Sequence, residues 1–566
     1  MCLGGVVEVR AGSLYGLGME RLSTAEAVVE TLAAHGITQL FGVPGVHNDP
    51  LFDALHGAQD RIQVLHARHE QAGGYMALGA ALATGQPQVF AAVPGPGMLN
   101  AASALLTAWG MEAPVLALAG QIPSFALGRG LGHLHEIPDQ LGLLRHLTKH
   151  AARISGPHEA SAQVANALYL GVSGRQRPVA LECAIDIWAK RGPAPIVGPI
   201  PPATPPVDED AVERAARILG GAERPLILVG GGALGAGEEV RRVAEMLEAP
   251  VGSYRRGRGV IDTAHRLAVN FPVARRLWAE ADVVFAVGTR LHNQQAVWGL
   301  DEAIRVVRLD IDPEEPERQY PPACAIVADA AAGLRALLAR LPAHNRVRAS
   351  RGEELAQHRA WLAARLERLE PQMGYLRAMR AALPADGILV DEVTQLGFAA
   401  RIAFPVPGPR LFFSGYQDNL GYGYGTALGA AAACPGRAVL SIAGDGGFAY
   451  QAMELATAKL HKLAVVVVVF SDGAFGNVKR IQAEAYGGRH IASDLHNPDW
   501  MEFAESFGVA AFEARNAGEL EMLLREAFAL GEPAVVHVPV EEMPSIWDLI
   551  VMPRVRGVET GRPVLP

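Results

Sequence analysis

"SIAGDGGFAYQ", residues 441–451, wedges an acid between glycines at the end of an apolar run. Ala438 to Ala443 reads as a short buried strand broken by Gly444. Asp445 is therefore expected at the carboxyl end of a strand, where open α/β sheets bind ligands. Gly446 and Gly447 leave room for a close approach to the backbone. A carboxylate near a buried edge needs a partner, so the expected guest is charged.

Outward from this stretch, strand-like runs alternate with helical ones along the whole chain. "QLFGVPG", "QVFAAVPG", "PVLALAG", "PLILVGGG", "DVVFAVGTR", "GILVDEV" and "AVVVVVFSDG" are β-rich and punctuated by Gly or Pro. That pattern predicts βαβ units and doubly wound parallel sheets, an α/β fold. A Pro-rich stretch at 191–210 reads as an extended linker. A polar stretch at 341–372 reads as a turn and a connecting helix. They divide the chain into an N-terminal extension (1–22), three α/β blocks (23–190, 211–340 and 373–545) and a C-terminal tail (546–566). The first and third blocks each close with a Pro before a buried strand, a weak sign of a repeat.

Composition narrows the function classes. The 566 residues are 50% hydrophobic and 19% charged, as in a globular protein with a large core. The net charge of −9 is spread out, with no basic stripe that would suit nucleic acid. The N-terminus has no long apolar core and does not read as a signal peptide. No run is long and apolar enough for a membrane span. Cys2, Cys183, Cys324 and Cys434 lie far apart without metal or disulfide spacing, which points to the cytoplasm.

A second strand, "AVVVVVF", ends at Phe470 and leads into "SDGAFGN". A right-handed crossover would bring this strand end beside the first, so that Asp445 and Asp472 converge. Hard oxygen ligands of this kind suit Mg²⁺ shared with phosphates. Taken singly, each aspartate reads more readily as a helix cap; paired at this spacing on adjacent strand ends, the two read as a metal site.

Gly-Asp-Gly followed at this interval by a polar pair resembles the diphosphate motif of the thiamine diphosphate enzymes, the superfamily of acetolactate synthases, 2-oxo-acid decarboxylases and benzaldehyde lyase. The usual ending is Asn-Asn, where this chain has Ser471-Asp472. The resemblance runs from about residue 20 to 545 and names the three blocks pyrimidine-binding, central and diphosphate-binding domains. It implies thiamine diphosphate and Mg²⁺, the metal held by Asp445, Asp472 and the backbone carbonyl of Ala474, with Gly446, Gly447, Phe475 and Gly476 around the diphosphate. Thr394 and Gln395 of "VDEVTQLG" match a diphosphate-binding segment. In "GYQDNLGYGYG", Leu420 matches the apolar wedge that bends the cofactor, and the Asp418 carbonyl the acceptor of its aminopyrimidine N–H.

"VLHARHEQAGG" is similar to the family's glutamate segment. It implies that Glu70 hydrogen-bonds the pyrimidine ring nitrogen and controls the proton whose loss makes the cofactor nucleophilic. In this family that glutamate and the metal site belong to different subunits, which implies a homodimer or homotetramer. His47 falls where benzaldehyde lyase keeps an active-site histidine, and such a group can shuttle protons to a substrate oxygen. Asn477 matches a substrate-facing position. His135 and Gln140 of "GHLHEIPDQ" match another active-site loop.

The implied activity is making or breaking a carbon–carbon bond next to a carbonyl, on a 2-oxo acid, an aldehyde, or an acyloin, diketone or 2-hydroxyacyl-CoA. The acetolactate synthases proper carry Gly-Gln-His-Gln-Met-Trp where this chain has "EVTQLGFAA". The competing nucleotide signal is Gly230, Gly232 and Gly235, a G-x-G-x-x-G after a strand. It suggests a nicotinamide or flavin oxidoreductase, but no acid ends the next strand. Central domains of the family hold FAD, an adenine nucleotide or nothing, and nothing in the sequence supports FAD. A non-catalytic cofactor-binding partner is the remaining alternative, and Glu70 argues against it.

Overall fold

The computed structural model describes residues 21–557. The greater part of the proposed N-terminal extension and the end of the C-terminal tail lie outside them. Three six-stranded parallel sheets, one per block, are connected through helices. The apolar runs form their strands because a sheet covered on both faces buries every side chain, not alternate ones. Val465–Ser471 shows this: its first six residues are all buried.

The first and third sheets share one topology. Numbering the strands of each in chain order, both read second, first, third, fourth, sixth, fifth across the sheet. The faint repeat in the sequence is thus a full structural repeat. The central sheet reads third, second, first, fourth, fifth, sixth, the order of dinucleotide-binding folds. A short antiparallel ribbon pairs Arg21–Ser23 with Arg191–Pro193, so the first domain draws in residues from both flanking segments.

The first and third domains meet through two small-residue helices, Glu70–Thr84 and Gly423–Ala433. A Cβ on Gly79 would lie 1.9 Å from the Thr426 carbonyl oxygen, and one on Gly429 1.9 Å from that of Met76. Only glycine allows this backbone-to-backbone approach. The central domain is tied to the first by Arg175, whose guanidinium reaches Glu112 at 2.8 Å and Glu315 at 2.6 Å. Among the described residues no helix is long and apolar enough to cross a membrane.

Candidate active site

The strands Val439–Gly444 and Val465–Ser471 are parallel neighbours, with Gly444 opposite Phe470. Asp445 and Asp472 therefore leave adjacent strands at the same sheet edge. Asp445 is 2% exposed. Its Oδ1 accepts from the Gly446 N–H at 2.8 Å, and its Oδ2 from the Gly473 N–H at 2.8 Å and from Asn497 Nδ2 at 2.7 Å. Asp472 opens to solvent on one side. Partial desolvation, and next the charge of Asp445, hold its carboxyl above the ordinary aspartate range. Neighbouring like charges disfavour joint ionisation, which a shared cation would relieve.

The turn after Asp472 is braced by residues 493–495. Phe475 N–H donates to the Ser493 carbonyl at 2.8 Å, and Leu495 N–H to that of Gly473 at 2.8 Å. Ala474 pairs with Asp494 in an isolated bridge. At three positions a side chain would force a neighbour to move. A Cβ on Gly446 would stand 2.7 Å from the Phe475 ring, on Gly447 2.7 Å from Glu392 Oε1, and on Gly476 2.5 Å from Asp472 Oδ2. Thr394 caps the helix Gln395–Ala403, its Oγ1 accepting from Gly397 N–H at 2.8 Å. Gln395 Oε1 beside it is buried with no hydrogen-bond partner. Unclaimed polar atoms, helix N-termini and glycine backbone together fit an anionic group of diphosphate type. Among the described residues no group of three or more His, Cys, Asp or Glu side chains is arranged to hold a metal ion; the candidate set has two carboxylates and a carbonyl.

The loop Gly415–Gly421 follows, and every neighbour of Leu420 is anchored. Asp418 stands at φ 51°, in the left-handed region. Its carboxylate is held by Arg255 at 2.5 Å and Arg401 at 2.8 Å. Asn419 Oδ1 accepts from Thr107 Oγ1 at 3.1 Å, and Asn419 Nδ2 donates to the Tyr75 hydroxyl. Gly421 N–H donates to Glu392.

Glu70 opens the helix Glu70–Thr84 behind the cap residue His69. Asn100 Nδ2 donates to its Oε2 at 3.0 Å. The turn before it is fixed by Glu454, which is 1% exposed and accepts from the N–H groups of Arg68, at 3.0 Å, and His69, at 3.1 Å. His47 and His135 stack with ring centroids 5.0 Å apart, and both Nδ1 atoms lack partners. Burial, and next His135, push the His47 imidazole below its ordinary range, so it is neutral near pH 7. His135 lies over Gly95, and Glu70 beside Gly97, so both flank the turn after the strand Gln88–Ala92.

Asn477 and Gln140 are occupied by the protein itself. Asn477 Oδ1 accepts from Trp547 Nε1 of the C-terminal segment at 2.9 Å and from Arg480 at 3.1 Å. Gln140 is 1% exposed; its Oε1 accepts from Gly95 N–H at 2.9 Å and its Nε2 donates to the Gly120 carbonyl at 2.9 Å and to Glu182 at 3.1 Å. Gln140 is therefore a brace, not a substrate contact.

Family models match all three domains. The thiamine pyrophosphate enzyme N-terminal TPP binding domain covers residues 22–143, the central domain 212–337 and the C-terminal TPP binding domain 392–538. The chain belongs to the thiamine pyrophosphate enzyme family. It is 34% identical to a probable 2-ketoarginine decarboxylase of Pseudomonas aeruginosa, over 90% of this chain and 92% of that one. It is 31% identical to a probable acetolactate synthase large subunit of Methanocaldococcus jannaschii, over 92% and 93%. The acetolactate synthase isozyme 3 large subunit of Escherichia coli is 30% identical, over 90% and 92%. The chain is thus a thiamine diphosphate-dependent enzyme that cleaves or forms carbon–carbon bonds, and its α/β architecture is that of the family.

The glycines of the central domain serve a different place. Gly230, Gly232 and Gly235 line a cavity of about 790 Å³ together with Arg255, Arg290 and Asp310. Burial raises the Asp310 carboxyl to about 6. Asn497, Glu454 and Asn419 escaped the sequence reading, since each acts on a partner distant in the chain.

Proposed function

We propose that this enzyme decarboxylates a 2-oxo acid, using thiamine diphosphate bound through Mg²⁺. The observation that carries the reading is the pairing of Asp445 and Asp472 at neighbouring strand ends, beside the unpartnered Gln395 Oε1. Asp445, Asp472 and the Ala474 carbonyl would hold the metal. Gly446, Gly447, Thr394, Gln395, Phe475 and Gly476 would surround the diphosphate. Leu420 and the Asp418 carbonyl would receive the ring end. Bound there, the cofactor supplies a nucleophilic carbon and an electron sink for the bond being broken.

The chain's own groups handle protons and orientation. Glu70 holds a proton at the pyrimidine ring nitrogen, and Asn100 fixes its carboxyl. The neutral His47, backed by His135, exchanges a proton with a substrate oxygen. Asn477, whose Oδ1 is held by Trp547, would face the substrate. Glu70 and the metal site would meet across subunits, so the working form is a homodimer or homotetramer. The unpaired Cys183, Cys324 and Cys434 support a cytoplasmic setting.

Decarboxylation is favoured over acetolactate formation by the stretch 392–400, which departs from that of the acetolactate synthases, and by the relation to a probable 2-ketoarginine decarboxylase. Cleavage of an acyloin or diketone is the second reading, and the placement of His47 favours it. The deciding experiment is CO₂ release from a panel of 2-oxo acids, with products read by mass spectrometry. Release with an aldehyde product is expected. No release from any acid, with turnover of an acyloin or diketone, would replace the first reading by the second.

A further inference from the structure

The strand Ile388–Val390 runs straight into two consecutive acids, Asp391 and Glu392, exposed by 0% and 1%. Two carboxyls buried side by side are costly and need a reason. They reach opposite ends of one loop. Asp391 Oδ2 accepts from Arg401 Nε at 2.9 Å, and Arg401 Nη2 carries on to Asp418 Oδ1 at 2.8 Å. Glu392 Oε1 accepts the N–H of Gly421. Its other oxygen has no partner. The same carboxyl lies under Gly447, whose absent side chain leaves it space. Leu420 falls between the two held residues.

From the central domain, Arg255 closes on the same loop. It meets Asp418 Oδ2 at 2.5 Å and donates to the carbonyls of Gly415 at 2.8 Å and Tyr416 at 3.1 Å. Asp418 at φ 51° is a strained conformation for a residue other than glycine. Such conformations persist only where the surroundings over-determine them. Here two arginines on one side and a carboxyl on the other do so.

We propose that Asp391 and Glu392 form a two-point clamp that sets the Asp418–Gly421 loop, and with it Leu420, before any cofactor arrives. They are positioning residues: Asp391 acts through Arg401 on residue 418, and Glu392 acts directly on residue 421. Burial pushes the Glu392 carboxyl up to about 8, so at neutral pH its end of the clamp buries no net charge. Arg401 neutralises the other end. Pre-setting the loop removes an ordering cost from cofactor binding. The part given to Leu420 rests on the family reading, but the clamp itself does not.

Hydrogen–deuterium exchange on the full-length, cofactor-free chain tests this, reading the peptide over 415–423. Glu392→Ala should raise its exchange about tenfold, the loss of one hydrogen bond. Arg255→Met, changing a side chain nearer the surface, should also loosen it. The strand Val439–Gly444 should keep its protection in both. Glu392→Gln retains an acceptor oxygen and should restore the slow exchange. Titration by intrinsic fluorescence should then show thiamine diphosphate with Mg²⁺ binding about tenfold more weakly to Glu392→Ala than to Glu392→Gln. Unchanged exchange over 415–423 in both Glu392→Ala and Arg255→Met would overturn the clamp. Failure of the unaltered chain to bind the cofactor would instead count against the cofactor-site assignment, and the exchange result would stand by itself.

Discussion

Asn497 Nδ2 donates to Asp445 Oδ2 at 2.7 Å across 52 residues of chain. The bond turns a carboxylate that also accepts from two backbone N–H groups. Groups behind a metal ligand fix its orientation, and losing one costs roughly 10–100-fold in metal affinity. Asn497→Ala should therefore weaken Mg²⁺-dependent cofactor binding by roughly 10–100-fold. Titration of Mg²⁺ at saturating thiamine diphosphate checks this, and an unchanged midpoint would remove Asn497 from the site.

Glu454 ties the third domain to the turn preceding Glu70. Besides the Arg68 and His69 N–H groups it accepts from Thr457 Oγ1 at 2.5 Å. Glu454→Ala would strand those backbone donors, at a cost of about 1–3 kcal/mol. Urea unfolding should show that loss, with a smaller one for Glu454→Gln. Equal midpoints for Glu454→Ala and the unaltered chain would show the contact to be energetically idle.

Glu70→Gln keeps the shape of the side chain and removes its proton chemistry. The variant should bind thiamine diphosphate with near-normal affinity and lose turnover by about 10²–10⁴-fold. Calorimetry paired with product assays separates the two. Undiminished turnover would sink the role given to Glu70.

Glu392 carries a pH signature. Its folded value is raised to about 8, chiefly by burial, against about 4.3 for a free glutamate. Between these values the folded chain binds the extra proton, so this group's contribution to stability falls as pH rises through the window and levels off above it. Glu392→Gln does not titrate. Its stability relative to the unaltered chain should climb from about pH 4.3 to about 8 and then flatten. A difference constant with pH would mean that Glu392 is ionised in the folded chain throughout.

Much of this arrangement is legible in the sequence because apolar strand runs end abruptly at marked residues. Gly444-Asp445 and Ser471-Asp472 sit at such breaks, and parallel pairing puts them side by side. Thr394 and Gln395 follow the strand Ile388–Val390 in the same way. The structural repeat left only a trace, since strand order across a sheet is not written in local pattern. The braces were illegible for a related reason. Asn497, Asn419 and Glu454 are ordinary polar residues until the fold sets them against Asp445, Thr107 and the His69 turn. Asp391 and Glu392 stand inside a quoted motif, yet their burial and their grip on residues 418–421 come from tertiary packing.

Isothermal calorimetry of thiamine diphosphate binding, with and without Mg²⁺, to the unaltered chain and to Asp445→Ala addresses the central claim most directly. Binding to the unaltered chain that needs Mg²⁺ and disappears in Asp445→Ala is the predicted result. Equal, metal-independent binding in both would contradict the assignment of Asp445 and Asp472 to the metal and diphosphate.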